Sequence, residues 1–211
     1  MNKVQKVENE VLSVGFLRVL IGTNSLVPLA FILIDGARGN LGANPLEFYL
    51  RATGLLTLMF LLLTLSVTPL RKLTGSNQIA KHRRMLGLFS FFYAVLHASA
   101  YAIFDKGLDT SAIAGDMVQR PFIYFGMAAF LMLLPLALTS TGGWVRRLGG
   151  RNWSRLHRLT YLIAILGVIH FWMLVKSDIL YPSAAGIFLF ALLGYRFSYF
   201  LYERRRKAVG S

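Results

Sequence analysis

The sequence predicts an all-α integral membrane protein built as a six-helix transmembrane bundle. Of its 211 residues, 55% are hydrophobic, and the mean hydropathy is +0.56. Apolar stretches of roughly 20 residues recur along the chain, which is the length needed to cross ~30 Å of hydrocarbon as a helix. Lysine and arginine are grouped in the connections between these stretches. This combination is typical of polytopic helical membrane proteins and excludes an ordinary water-soluble domain.

Six predicted spans follow one another with short connections. Turn-forming and polar pairs separate them, such as Asp35-Gly36, Asn44-Pro45 and Gly142-Gly143. No connection exceeds about twenty residues, so we expect one transmembrane domain over residues 1–211 and no separate soluble domain. The spans cover residues 11–34, 46–70, 85–104, 122–140, 156–175 and 179–201.

The basic residues predict the orientation of the bundle. Most Lys and Arg fall on one side of the spans, which the positive-inside rule assigns to the cytoplasm together with both termini. The formal charge of +14 is therefore interpreted as a topology signal and not as a nucleic-acid surface, because the basic residues form short clusters and not one continuous face. Membrane lipid is the expected partner of these clusters.

The absence of cysteine limits the chemistry available to the chain. With no Cys in the sequence, an iron–sulfur cluster held by thiolates, a covalently attached haem, a catalytic thiol and a disulfide are all excluded. Any redox centre must use other ligands.

His97 and His170 are the candidate metal ligands. Each is an ionisable group deep in an apolar span, where such groups are costly and usually functional. His97 lies about twelve residues into the third span and His170 about fourteen into the fifth, so both are ~18 to 21 Å from the basic face. Two imidazoles at equal depth on different helices can bind one haem iron from opposite sides.

Other interpretations of these two histidines stay open. Each could instead donate a hydrogen bond to a neighbouring helix. They could also relay protons in a proton-coupled transporter of small solutes, although no inverted repeat or paired broken helices favour that reading. A purely structural scaffold would leave the buried imidazoles unexplained.

His157 is the candidate ligand of a second, inner haem. It precedes His170 by thirteen residues, a rise of ~20 Å, although on an ideal helix the two rings point about 140° apart. Its opposite ligand is unassigned, and we expect His82, in the basic loop, to be solvated. Arg83, Arg84 and Arg155 are candidates for contacts with haem propionates or a flavin phosphate.

Two further polar features have simple expectations. Arg196, like Arg18, is predicted to extend its side chain to the basic interface. Trp153 is predicted to belong to the aromatic belt at the membrane surface, with no other role.

Several short segments resemble a known family in their order and spacing. With histidines on the third and fifth spans, the chain resembles the ferric-reductase-type transmembrane fold, and more closely the haem-binding membrane subunits of bacterial periplasmic protein-methionine-sulfoxide reductase systems. The resemblance covers nearly the whole chain. The matching segments are Gly42 to Pro45, Arg51 to Gly54, Thr68 to Arg71, Arg83 to Leu88 with Leu96 and His97, Arg120 to Phe122, Leu138 to Thr141, and Trp153, Leu156, His157 and Tyr161 leading to His170.

The resemblance implies a function in electron transfer. It implies one haem b, or two, in a multi-pass protein of the bacterial inner membrane, with electrons supplied by the quinone pool or a cytoplasmic flavin reductase. It also admits FMN, although the sequence has no glycine-rich phosphate loop. The implied partner is a periplasmic, molybdopterin-containing subunit that reduces methionine sulfoxide and carries the substrate chemistry. We expect this partner to dock on outer loops containing Asp105, Asp109 and Asp116.

Overall fold

The described part of the chain, residues 3–175 and 177–209 of a computed structural model, is helical throughout and contains no strand. Side chains are described for residues 14–175 and 177–206. A short 3₁₀ helix, Ile79–His82, precedes the third long helix, and a π-helix, Tyr101–Asp105, continues it. The α-helices are α1 (Lys3–Ala37), α2 (Pro45–Thr74), α3 (Arg83–Ala100), α4 (Thr110–Gln119), α5 (Phe122–Leu138), α6 (Gly142–Leu156), α7 (Leu159–Leu174) and α8 (Leu180–Val209).

The ends of α2 show how the sequence delimits a helix. At its start the Asn44 side chain accepts a hydrogen bond from the Glu47 backbone N–H at 3.1 Å, and Pro45 occupies the first turn, where no donor is needed. At its end Gly75 adopts a left-handed conformation with φ of 69°, which glycine accepts without a steric penalty. The helix therefore begins and ends at residues suited to these positions.

The centre of the molecule consists of two helix pairs, α2 with α3 and α5 with α7. Their buried side chains form one apolar core, to which α8 also contributes. Helix α1 lies to one side, where the Tyr93 hydroxyl of α3 donates to the Ser25 carbonyl at 2.5 Å. The main core residues are Leu58, Leu61, Leu62, Leu65, Ala94, Ala129, Leu133, Leu136, Ile163, Ala164, Leu189 and Leu192.

All six predicted spans correspond to helices, but they differ in length. Four helical segments are long and apolar enough to cross a membrane: Val14–Ala37, Pro45–Thr74, Ile79–Asp105 and Leu180–Arg206. A fifth is reached by counting Phe122–Leu138 together with Gly142–Leu156, which are bent 109° from one another. Helix α7 is apolar but has only 16 residues, so length and composition alone support four or five spans.

Two helices lie outside the predicted spans, and one of them shortens the fifth span. Helix α4 fills part of the connection before α5, while α6 turns away from α5 and is itself kinked at Gly149, with φ of 74°. Because α6 continues to Leu156 and a turn follows, α7 begins at Leu159 and not at residue 156 as predicted. His157 consequently lies in the turn before α7, not within the same helix as His170.

We name the two ends of the bundle by their charged residues. The basic end carries Arg71, Arg83, Arg155 and Arg204, and the acidic end carries Asp35, Asp109, Asp116 and Asp178.

Candidate haem site

The two helix pairs bring His97 of α3 and His170 of α7 next to each other inside the bundle. Their ring centres are 6.2 Å apart, and the ring planes cross at 88°. Two imidazoles bonded to one metal from opposite sides, with bonds of about 2 Å each, have ring centres roughly 6 Å apart. The separation therefore fits a single metal atom between the two rings.

Each imidazole is oriented by a backbone carbonyl of the partner helix in its pair. The Nδ1–H of His97 donates to the Leu50 carbonyl at 2.9 Å, and the Nδ1–H of His170 donates to the Phe122 carbonyl at 2.7 Å. A carbonyl can only accept, so the proton is on Nδ1 and the lone pair is on Nε2 in both rings. This is the usual outer-shell arrangement of metal-binding histidines.

Both Nε2 atoms are available to a ligand. Within the described part of the chain, neither makes a hydrogen bond, and neither is among the polar atoms enclosed by protein without a partner. Both Nε2 atoms are therefore unprotonated and have no hydrogen-bond partner among the described residues.

A glycine provides the space for each ring. A Cβ atom at Gly126 of α5 would lie 2.7 Å from His170 Nδ1, which is closer than real Cβ contacts allow. A Cβ at Gly54 of α2 would lie 3.1 Å from His97 Cε1. In both pairs the glycine follows the accepting residue by four positions, Leu50 to Gly54 and Phe122 to Gly126, which places them on the same helix face. We call each carbonyl and glycine together an imidazole seat.

The set of donors suits haem iron better than a bare ion. Among the described residues, no group of three or more His, Cys, Asp or Glu side chains is placed to hold a metal ion, whereas structural and catalytic ions usually need three or four protein ligands. A porphyrin supplies four nitrogens itself and asks the protein only for axial ligands. Two opposed imidazoles are the complete protein contribution to such a group.

His157 lies at a second level, near the other end of α5. Its Nδ1–H donates to the Trp153 carbonyl at 3.0 Å, and its Nε2 is 3.5 Å from Ser140 Oγ. His170 contacts Phe122 and Gly126 near the start of α5, whereas His157 contacts Ser140, which lies 14 to 18 residues further along the chain. A helix of that length spans ~21 to 27 Å, which is the approximate separation of the two levels. On one ideal helix the two rings would point about 140° apart. Because His157 lies in a turn before α7, its ring can contact Ser140 just after α5 while His170 contacts the start of α5.

The predicted basic residues are only partly brought to this second level. Arg84 is close enough to His157 for their charges to interact. Arg83 instead donates to Thr68 Oγ1 of α2 at 2.7 Å. Arg155 is exposed on α6.

Two predictions at the basic end are wrong, and one is incomplete. His82 is not solvated, because it is only 4% exposed and neither ring nitrogen has a partner in the described chain. Trp153 does more than anchor the interface: its indole N–H donates to the Thr139 carbonyl at 2.9 Å, and its ring stacks on His157 at 3.8 Å. Arg196 bonds within the bundle and does not simply extend to the interface. Hydropathy places residues by depth and cannot identify such contacts.

At the acidic end, Asp116 is an internal residue and not a free docking charge. It is 8% exposed and accepts from Tyr101 Oη at 2.9 Å, Lys106 Nζ at 3.0 Å and Arg120 Nε at 3.1 Å. Burial opposes its ionisation, but the bonds from Lys106 and Tyr101 and the charge of Arg120 outweigh burial and lower the pKa of Asp116. Asp116 therefore offers little charge to a docking partner, and docking on the loops that contain Asp105, Asp109 and Asp116 stays a prediction.

The other two carboxylates of the predicted docking loops also have local partners. Asp105 pairs with Lys106 at 3.1 Å. Asp109 caps α4, accepting from the Ser111 N–H and Oγ, each at 2.8 Å, and the Ser111 hydroxyl bond is the main reason its pKa is lowered. Asp105 and Asp109 are exposed, whereas Asp116 is buried. The sequence shows the charges but not these pairings, which reduce the attraction that these loops can exert.

Sequence reasoning also missed the imidazole seats. Gly54 and Gly126 lie within apolar helices, where glycine has many roles, and the accepting groups are backbone carbonyls that carry no residue signature. The available signal was positional: each glycine belongs to a span that pairs with a histidine-bearing span.

The chain is similar to known proteins over most of its length. The family described as the ferric reductase like transmembrane component matches residues 50–168. This range includes both imidazole seats and two of the three candidate histidines, His97 and His157. The chain is 46% identical over 186 residues to the protein-methionine-sulfoxide reductase heme-binding subunit MsrQ of Ralstonia nicotianae, covering 87% of this chain and 86% of that one. It is 45% identical over 197 residues to the MsrQ subunit of Xanthomonas euvesicatoria, covering 90% of each chain.

A third relative has the same description. The MsrQ subunit of Herminiimonas arsenicoxydans is 45% identical over 185 residues, covering 87% of this chain and 84% of that one. Similarity at this level extends over most of both chains in each comparison, and the resemblance seen in the sequence is confirmed. The chain belongs to the MsrQ family of heme-binding subunits of protein-methionine-sulfoxide reductase, within the ferric-reductase-like transmembrane proteins.

Proposed function

We propose that this protein is a membrane haem b subunit that passes electrons to a protein-methionine-sulfoxide reductase. The observation that carries the proposal is the opposed pair His97 and His170, 6.2 Å apart, with each Nδ1–H held by a carbonyl. The names of the relatives, which describe heme-binding subunits, support it. The chain itself would bind no sulfoxide substrate, and that chemistry would belong to the partner.

His97 and His170 would hold the outer haem through their Nε2 atoms. When bound, this group supplies a carrier that accepts and releases one electron at a time. The Leu50 and Phe122 carbonyls keep both imidazoles in the tautomer that leaves Nε2 free, and they increase the basicity of the ligands. Gly54 and Gly126 let the rings lie against the neighbouring helices, so the ligands are positioned before the group binds.

His157 is proposed as a ligand of a second haem near the basic end. Support comes from its contact with Ser140 and from Arg84, which is close enough to interact with it. Arg83, Arg84 and Arg155 are proposed to contact propionates or a flavin phosphate. A carrier at each level would divide the crossing of the membrane into two shorter transfers.

The proposed topology has six crossings within one domain, with both termini in the cytoplasm of a bacterium and the protein in its inner membrane. Helices α5 and α7 are included as crossings because they pack as a pair, in which α5 carries the imidazole seat and α7 carries His170. Helix α6 covers the end of α5, where the Trp153 indole N–H donates to the Thr139 carbonyl, and α4 packs against α5. Short spans can be accommodated in a bilayer at modest cost.

Electrons are proposed to enter near the basic end and leave near His97 and His170. Quinol or a cytoplasmic flavin reductase would supply them, and FMN is a further proposed carrier. The acceptor would be a periplasmic subunit with a molybdenum cofactor. Reduction of a sulfoxide to a thioether consumes two electrons and two protons and releases water, so a one-electron carrier must transfer twice for each methionine repaired.

The direct test is stopped-flow oxidation of the purified, dithionite-reduced protein by its partner. Addition of the partner together with a methionine sulfoxide substrate should oxidise the haem. Addition of the partner without substrate should oxidise no more haem than corresponds to the electrons that the partner itself can accept. If the haem stays reduced although the partner is active with an artificial donor, the proposed acceptor is wrong. Proton-coupled transport by the buried histidines would then be tested by solute uptake in vesicles.

A further inference from the structure

Arg196 of α8 is a charged side chain drawn into the bundle near the basic end. Its Nη1 donates to the Tyr161 hydroxyl of α7 at 2.6 Å, and its Nη2 donates to the Leu65 carbonyl of α2 at 2.6 Å. Its Nε is enclosed by protein and has no partner in the described chain. The guanidinium is therefore fixed in place by neutral groups, with one donor left unsatisfied.

Arg83 approaches the same face of α2 from the start of α3. It donates to Thr68, which is one turn from Leu65, the residue that accepts from Arg196. Arg83 also lies within electrostatic reach of both Arg196 and Arg71. Three guanidinium groups thus converge where α2, α3, α7 and α8 meet, and we call them the arginine cluster.

One carboxylate, Glu203 of α8, lies near the arginine cluster, because its charge acts on Lys72, which also interacts with Arg71 and Arg196. Glu203 accepts a hydrogen bond from Tyr199 Oη at 2.6 Å, and a single carboxylate leaves the group of Arg71, Lys72, Arg83 and Arg196 with a net positive charge. Like charges held together at a membrane depth are unfavourable unless a counter-ion compensates them. Neutral acceptors such as Tyr161 position a guanidinium but do not neutralise it.

We propose that the arginine cluster is a binding site for an oxyanion, in which Arg196 is the fixed ligand. Guanidinium groups bind phosphate and carboxylate through paired, charge-assisted hydrogen bonds. Basic sites between transmembrane helices at this end are typical of anionic lipid headgroups. The bound oxyanion could come from either of two sources. One is the phosphate of an anionic phospholipid, whose binding does not depend on the proposed function. The other is a haem carboxylate, whose binding rests on the proposed function.

Native mass spectrometry of the intact purified protein, titrated with phosphatidylglycerol, tests the lipid source. The wild-type chain should bind this lipid, and Arg196→Gln should weaken its binding at least about tenfold because charge-assisted hydrogen bonds are lost. Arg205→Gln is the matched control: it removes an exposed positive charge from the same helix and should leave binding unchanged. Arg196→Lys, which keeps the charge, should retain most of it.

Haem counted per polypeptide in the same variants tests the other source. If the oxyanion is a haem carboxylate, Arg196→Gln should lower haem retention while its lipid binding equals that of Arg205→Gln. If lipid is the source, haem-free protein should still show the difference in lipid binding. Should Arg196→Gln fail to insert, Arg71→Gln removes a charge from the cluster without removing a described hydrogen bond. Variants that match Arg205→Gln in both lipid and haem binding would overturn the proposal.

Discussion

Gly126 and His170 are in such close contact that no other residue fits at position 126. A side-chain carbon there would lie 2.7 Å from His170 Nδ1 and 2.8 Å from Cε1. The same nitrogen donates to the Phe122 carbonyl, one turn earlier on α5. The ring is thus held against the helix by a hydrogen bond and by the absence of a side chain, which fixes the direction of Nε2.

Gly126→Ala should remove most of the outer haem. The added methyl group must displace the imidazole, because the atoms it meets belong to a ring and not to a flexible chain end, and overpacking of this kind costs about 1–3 kcal/mol. Haem per polypeptide, measured from the reduced absorption spectrum, is the readout. Gly167→Ala is the control on α7, where the new Cβ would be 3.5 Å from Leu58 Cδ1, an ordinary contact.

Gly54→Ala should have a smaller effect than Gly126→Ala. Its Cβ would lie 3.1 Å from His97 Cε1 and 3.2 Å from Nδ1, so a shift of a few tenths of an ångström can relieve the contact. We expect the haem to be retained with an altered reduction potential, since the ligand orientation changes. Redox titration of both variants gives the comparison, and a larger haem loss in Gly54→Ala would contradict it.

The histidine pair could be predicted from the sequence, whereas its seats could not. Buried imidazoles in apolar spans are rare enough to stand out, and counting 1.5 Å per residue places His97 and His170 at one depth. Which face of α2 or α5 they meet depends on helix packing, and the acceptors are main-chain atoms. Gly126 becomes informative only once the rings are placed.

His157→Ala should remove a second haem, if two are bound, and leave the outer one. The reason is that His157 contacts Trp153 and Ser140, at the far end of α5 from the seat of His170. Haem per polypeptide should fall from above one toward one, with the spectrum of the remaining haem unchanged. A stoichiometry of one in both proteins would assign His157 a structural role with Trp153. Arg151→Gln, which removes another exposed charge from α6, is the control and should leave haem content unchanged.

Asp116→Asn should destabilise the acidic end of the bundle. The substitution removes the carboxylate 3.0 Å from Lys106 and weakens the bond from Tyr101, although Lys106 keeps its pair with Asp105. Hydrogen bonds to charged groups contribute about 1.5–3 kcal/mol each. Thermal unfolding should therefore begin at a lower temperature than in the wild type. Asp109→Asn is the control on the exposed cap of α4, with a smaller effect expected.

The pH dependence of stability should follow the same carboxylate. Because the pKa of Asp116 is lowered in the folded protein, its contribution is fully present above the ordinary aspartate value of 3.8 and is lost as the pH falls below it. Wild-type protein should therefore lose more stability than Asp116→Asn in an acid titration followed by thermal unfolding. Equal losses in the two proteins would indicate that other groups control acid sensitivity.

The ends of the spans were the least predictable part of the fold. Hydropathy identified six apolar stretches, but it could not show that α6 continues to Leu156 and is bent 109° from α5. It also assigned His82 to solvent because its neighbours Lys81 and Arg83 are basic, although the ring is buried. Charge and hydropathy report average depth, while burial at a span end depends on which helices meet there.

The most direct test of the central claim is the haem content of His97→Ala and His170→Ala. Each variant should insert into the membrane as the wild type does but lack the outer b-type haem, because one imidazole alone cannot complete the opposed pair seen at 6.2 Å. The measurement is haem per polypeptide together with the reduced absorption spectrum of each purified variant. Loss of the outer haem in both variants is the predicted result, and wild-type haem content and spectrum in both would contradict the account.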